Sequence, residues 1–143
     1  MAMKRRATAV WKGDLKTGTG KVSTQSKALA DLPYDFKMRF EDAPGTNPEE
    51  LIGAAHAGCF TMALAHALAQ AGHVAKSLHT IATVTLEKGE KGFAISGIAL
   101  KTEAQVPGIS AADFQTHAEA TRTGCIVSRA LASVPITLEA KLL

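Results

Sequence analysis

An α+β fold is what this sequence predicts, and three features carry the expectation. Strand-like runs, one long helix, a hairpin, a helix and a last strand follow one another without the strict alternation of a parallel sheet. Residues 46–72 form a helical stretch with almost no charge on any side. The segments around it alternate apolar and polar residues with the period of two expected of half-buried strands. At 143 residues the chain fits one domain, residues 1–143, large enough to bury a core. Antiparallel sheets packed around a long central helix are the expected architecture.

The elements follow in order. Residues 8–12 favour a strand around Val10 and Trp11 and are broken by Gly13-Asp14. Gly18-Thr19-Gly20 marks a turn, after which residues 21–25 return as a second strand. Residues 36–41 alternate cleanly and predict a strand, with Phe36, Met38 and Phe40 on one face and Lys37, Arg39 and Glu41 on the other. Ala43-Pro44-Gly45 breaks the chain before the central helix. Asn47 can cap that helix, Pro48 suits its first position, and Glu50 completes the chemistry of a capping box. Gly72 is its natural stop.

Beyond it, residues 78–87 and 93–101 read as an antiparallel hairpin across the glycine-rich turn at 88–92. Val106-Pro107-Gly108 ends the sheet segment, and Ser110 with Asp113 starts a helix reaching about residue 123. Gly124 stops it, Cys125 heads a short helix over 126–132, and residues 136–142 alternate as a final strand.

Composition narrows the function. The formal charge of +3 is spread along the chain apart from Lys4-Arg5-Arg6, and no basic and aromatic interleaving is present, so nucleic acid is not an expected partner. The basic N-terminus leads into Ala7-Thr8-Ala9-Val10-Trp11 rather than a long apolar segment, which argues against a secretory signal and for the cytoplasm. The central helix approaches the length of a membrane span, but it is mostly Ala and Gly with His56 and His66, and strands surround it; a buried helix is expected and no membrane. No Gly-x-Ser-x-Gly elbow, phosphate loop or dinucleotide fingerprint occurs.

A helix apolar all round needs cover all round, and one sheet covers one face. A second subunit is therefore expected to bury part of the rest, giving a homodimer with a shared core. Gly53, Ala57, Thr61 and Ala65 lie four apart and are small enough to admit a second helix.

Cys59 and Cys125 are the residues with the most chemistry to offer. In a reducing compartment two distant cysteines are more often free, catalytic or metal-binding than a permanent staple. Cys59 in an Ala-rich helix can be a small buried hydrophobe or a nucleophilic thiolate, and a thiolate needs a cation; Arg39 and His56 are the candidates. Cys125 at a helix start meets backbone N–H groups and the positive end of the dipole. A peroxidatic and resolving pair is one possibility. A zinc site of His56, Cys59 and Cys125 is the metal alternative, but no ligand spacing supports it and no metal is expected. His66, His73, His79 and His117 read as structural or surface residues.

The run from Gly45 through Asn47-Pro48-Glu49-Glu50 and His56-Ala57-Gly58-Cys59-Phe60, with Gly124-Cys125-Ile126-Val127-Ser128 downstream, resembles the OsmC/Ohr family of thiol peroxidases. Trp11-Lys12-Gly13-Asp14, Tyr34-Asp35-Phe36 and Val106-Pro107-Gly108-Ile109 extend the resemblance over nearly the whole chain, closest to the OsmC branch. It implies an intertwined α+β homodimer whose active sites lie at the subunit interface. It also implies an organic hydroperoxide reductase of oxidative and osmotic stress defence, in which Cys59 attacks the peroxide and Cys125 resolves the sulfenic acid as a disulfide. Arg39, held by Glu49, would keep the thiolate charged and orient the peroxide. A dithiol, with lipoyl groups as the family's source, would recycle the enzyme; no bound cofactor is needed because the thiol pair carries the two electrons. On an unbroken helix Glu49 and Cys59 would stand about 15 Å apart. Either Arg39 spans the gap, the helix breaks near Gly53 or Gly58, or the groups come from different subunits. Ile126 follows Cys125 where family members often carry proline. The rival expectation is a non-catalytic dimer that binds an apolar ligand at its interface, with inert thiols.

Overall fold

The computed structural model describes residues 1–143, which form two compact units, Met1–Leu51 and Ile52–Leu143. In the first, β1 (Ala7–Lys12), β2 (Thr19–Thr24) and β3 (Leu32–Asp35) make an antiparallel sheet in that order. The β1–β2 turn is tied by Asp14, whose carboxylate accepts the N–H groups of Lys16 and Thr17, each at 2.8 Å. Gly20 pairs with Trp11 on one side and Tyr34 on the other. The two rings close over it with centroids 5.4 Å apart, and a Cβ on Gly20 would lie 2.6 Å from either ring. Only glycine leaves that space.

The strand expected at residues 36–41 is instead a short helix, α1 (Phe36–Phe40). Asp35 caps it, its Oδ1 accepting the Met38 N–H at 2.9 Å, and the Phe36 and Phe40 rings stack along one side with centroids 4.9 Å apart. Over so few residues, apolar positions at i and i+4 satisfy both the strand and the helix period, and the cap decides. Arg39 therefore stands on a helix rather than on the polar face of a strand.

Helix α2 (Pro48–Gln70) begins as its capping residues require: the Asn47 Oδ1 accepts the Glu50 N–H at 2.8 Å, and its amide donates to the Met38 carbonyl at 3.3 Å. It ends at Gly72, with φ +86°, where the His73 N–H reaches Leu68 O and the Gly72 N–H reaches Ala69 O. These are the paired bonds of a Schellman stop.

The second unit carries β4 (Ser77–Gly89), β5 (Gly92–Gln105) and β6 (Ile136–Leu142) in that spatial order. β4 and β5 form the expected hairpin, longer at both ends than the sequence pattern and with a bulge at Thr85/Leu86. β6, however, lies parallel to β5, so the expectation of purely antiparallel sheets is corrected. Between those strands run α3 (Ala111–Gly124) and α4 (Ile126–Ala130), a helical crossover that returns the chain to run beside β5 in the same direction. Ser110 caps α3 through the Asp113 N–H.

The core gathers Phe60, Leu64 and Leu68 of α2, Ile98, Leu100 and Ala104 of β5, and Phe114 and Ala118 of α3. Although α2 is apolar all round, its fully buried side chains His56, Phe60, Leu64 and Leu68 lie four apart and make one stripe. The small residues serve the sheet: a Cβ on Gly53 would stand 3.2 Å from Ala82 O, and the hydroxyls of Thr61, Thr80 and Thr102 form a chain at 2.8 and 3.0 Å. Two members of the four-apart stripe, Gly53 and Thr61, thus lie against β4. α2 is long and apolar enough to cross a membrane by composition alone, yet this stripe is packed into the core of its unit.

Candidate active site

Cys59 lies midway along α2, and Cys125 occupies the N-cap position of α4 without a side-chain capping hydrogen bond. Their spacing in the sequence could not show that they meet. They do: the two sulfurs are 3.1 Å apart as free thiols, at a distance from which a disulfide needs little movement. Cys125 is 2% exposed, whereas Cys59 is only half-buried, so a reagent from solvent reaches Cys59.

The electrostatics separate the two thiols. Burial pushes the Cys59 thiol up, against the Val127 and Ile126 N–H groups that favour its charge, and the neighbouring Cys125 pushes it up further. Burial also acts upward on Cys125, but the Ser128 N–H, the Cys59 thiol and the Ser128 hydroxyl together outweigh it and hold Cys125 below the usual thiol range. In the neutral pair the geometry suits a Cys125 S–H donating to Cys59. Once one proton has left, the Cys59 S–H donates to a Cys125 thiolate instead. The protons thus belong to the pair, the first leaving more easily than the second. The N–H of Ile126 is one that proline at this position would lack.

His56 is fully buried, and its Nε2 lies 2.7 Å from the Ser128 hydroxyl. Burial lowers its pKa below 6.5, so it is neutral and is not the thiolate's cation, contrary to one sequence expectation. Ser128 carries no obvious signal of its own; its place three residues after a cysteine at a helix start is the one hint available.

In the first unit Arg39 and Glu49 form a forked pair, Nη2 to Oε1 at 2.8 Å and Nε to Oε2 at 3.3 Å. Glu49 is 7% exposed, and the Arg39 guanidinium also lies 5.2 Å from the Phe40 ring centroid. The clamp expected of Glu49 on Arg39 is present. α2 is continuous through Gly53 and Gly58, so the alternative of a break in the helix is removed. No group of three or more His, Cys, Asp or Glu side chains converges in a manner that could hold a metal.

An α+β scaffold carrying two free thiols in contact, one sheltered at a helix cap and one open to solvent, defines a dithiol protein. The chain belongs to the OsmC family: the family described as OsmC-like protein matches residues 40–139. It is 49% identical over 142 residues to peroxiredoxin OsmC of Escherichia coli (strain K12), covering 99% of each chain. Among solved structures, the OsmC-like protein of Mycoplasma pneumoniae superposes with a TM-score of 0.74 at 19% identity, covering 100% of this chain and 99% of that one. The organic hydroperoxide resistance protein OsmC of Legionella pneumophila does so with a TM-score of 0.71 at 23% identity, covering 99% of each. At these identities the structures speak to the fold.

Proposed function

We propose that this OsmC-family chain is a thiol-dependent peroxidase that reduces organic hydroperoxides to alcohols. The observation that carries the reading is the pair of free sulfurs 3.1 Å apart with only Cys59 open to solvent; the full-length relative that bears the name peroxiredoxin supports it. Cys59 passes its proton to the neighbouring Cys125 thiolate and, as a thiolate itself, attacks one peroxide oxygen; the O–O bond breaks, and the departing alkoxide takes a proton to leave as the alcohol. Cys59 is left as a sulfenic acid. Cys125 then attacks that sulfur, forming the Cys59–Cys125 disulfide and releasing water. A dithiol, lipoyl-linked by analogy with the family, returns the two electrons.

Arg39 is the fixed cation of the reaction, since a guanidinium cannot deprotonate and its N–H groups suit an oxygen on which negative charge develops. Glu49 holds its fork in place. Two chains form an intertwined homodimer, a reading favoured by the apolar residues that α2 leaves exposed, Met62 at 76% among them. The enzyme works in the cytoplasm, where thiols are kept reduced, in defence against oxidative and osmotic stress.

The test is one equivalent of an alkyl hydroperoxide added to the reduced protein, followed by thiol counting and disulfide mapping. Loss of both thiols with a Cys59–Cys125 bridge is the expected result, and Cys59→Ser should consume no peroxide. Two thiols that survive unchanged would overturn the peroxidase and favour a non-catalytic dimer binding an apolar ligand.

A further inference from the structure

We infer that Ser128 and His56 form a buried hydrogen-bonded relay that makes Cys125 the leaving thiolate when the Cys59–Cys125 disulfide is reduced, with His56 the positioning residue for Ser128. This rests on the dithiol cycle proposed above. With Cys125 2% exposed and Cys59 half-buried, the incoming thiolate of a dithiol meets the Cys59 sulfur. A bond forms between that thiolate and Cys59, the Cys59–Cys125 bond breaks, and the electron pair departs on Cys125. The second thiol of the reductant then attacks the mixed disulfide, freeing Cys59 as a thiolate and leaving the reductant as a cyclic disulfide. The first of these steps is faster the better Cys125 carries negative charge.

The surroundings of Cys125 are built for that charge. Cys125 stands at the N-cap of α4 with Ser128 three residues on; its side chain makes no capping hydrogen bond at rest, and the Ser128 N–H, the Ser128 hydroxyl and the Val127 N–H are the groups that favour its charge. A hydroxyl has one proton. If Ser128 donates it to the thiolate, its oxygen is left to accept, and the group placed to donate is the His56 Nε2–H at 2.7 Å. That choice fixes the tautomer: Nδ1 carries no proton, and Nδ1 is the buried nitrogen of His56 that has no hydrogen-bond partner. The opposite tautomer would strand a buried N–H, the costlier arrangement. His56 is fully buried and Ser128 is 3% exposed, so water does not compete for either group. From α2 the titratable groups facing this cluster are Cys59 and His56; Arg122 of α3 and Arg129 of α4 line one cavity with Ser128, and Arg122 is engaged by Glu119 and by the Ile136 carbonyl.

The experiment follows thiolate absorbance against pH in the reduced Cys59→Ser protein, where Cys125 is the only thiol. Adding Ser128→Ala should raise the Cys125 pKa by about one to two pH units, the worth of one hydrogen bond to a charged group. Ser128→Thr, which keeps the hydroxyl, should restore it. His56→Leu should raise it as well, and His56→Gln, which can donate from a nearby position, should bring it back in part. In chains with both cysteines, reduction of the preformed disulfide by dithiothreitol should slow several-fold with Ser128→Ala. If Ser128→Ala titrates as its parent does, the relay is wrong, whatever the behaviour of the His56 variants. A native protein that fails to consume alkyl hydroperoxide would instead overturn the peroxidase reading and leave the titration result standing.

Discussion

Glu49 shows how much a single side chain owes to its surroundings. As a first-turn acid it could have been an exposed partner of the helix dipole, but it is 7% exposed and accepts two hydrogen bonds from Arg39. Glu49→Gln keeps the volume and removes the charge that grips the guanidinium. On the role proposed for Arg39, peroxide turnover should fall by about tenfold or more, because the guanidinium loses the group that orients it. The cost in stability should be only about 1 kcal/mol, since the Arg39 side chain is 38% exposed and water screens the pair. Steady-state kinetics and denaturant melts on the same preparation separate the two effects. A fall in stability large enough to account for the lost turnover would remove the catalytic role.

At the scale of elements, α1 carries the cation proposed for the reaction. Five residues with no buried side chain form a helix held by one cap, and that helix carries Arg39. Asp35→Ala should cost about 1 kcal/mol, the usual worth of an N-cap, and should loosen α1 locally. Amide hydrogen exchange over residues 36–40 should quicken while exchange in β5 stays slow. The hairpin of β4 and β5 and the capped start and stop of α2 were legible in the sequence, because alternation and capping are local. The strand expected at 36–41 was not resolved by the same logic, since its pattern fits two periods and a cap at the preceding residue settles between them.

Over the whole molecule two properties follow. The depressed pKa of His56 means that between its folded-state value and the 6.5 of the open chain only the unfolded state binds the proton. Stability should therefore fall as pH drops below about 6.5, with a slope of at most about 1.4 kcal/mol per pH unit from this one group. Thermal melts between neutral and mildly acid pH measure it, and His56→Gln should flatten that limb. The second property is assembly. Met62 on α2 and Ile81 on β4, at 76% and 51% exposure, are apolar residues that a partner would cover. Sedimentation at micromolar protein should show a dimer, and a stable monomer would end that proposal.

By itself the sequence determined the α+β class, the ends of α2, the last strand and the pair of cysteines worth watching. Those properties depend on caps, breakers and periodicity within a few residues of each other. The tertiary structure alone decided three matters: that Cys59 and Cys125, 66 residues apart, touch; that Ser128 lies against a buried His56, 72 residues away; and that β6 runs parallel to β5. Contacts across such separations depend on how the helical crossover brings α4 back to α2, and strand direction depends on that same crossover. No local pattern encodes either, because each side chain involved satisfies its own helix or strand equally well whatever lies opposite.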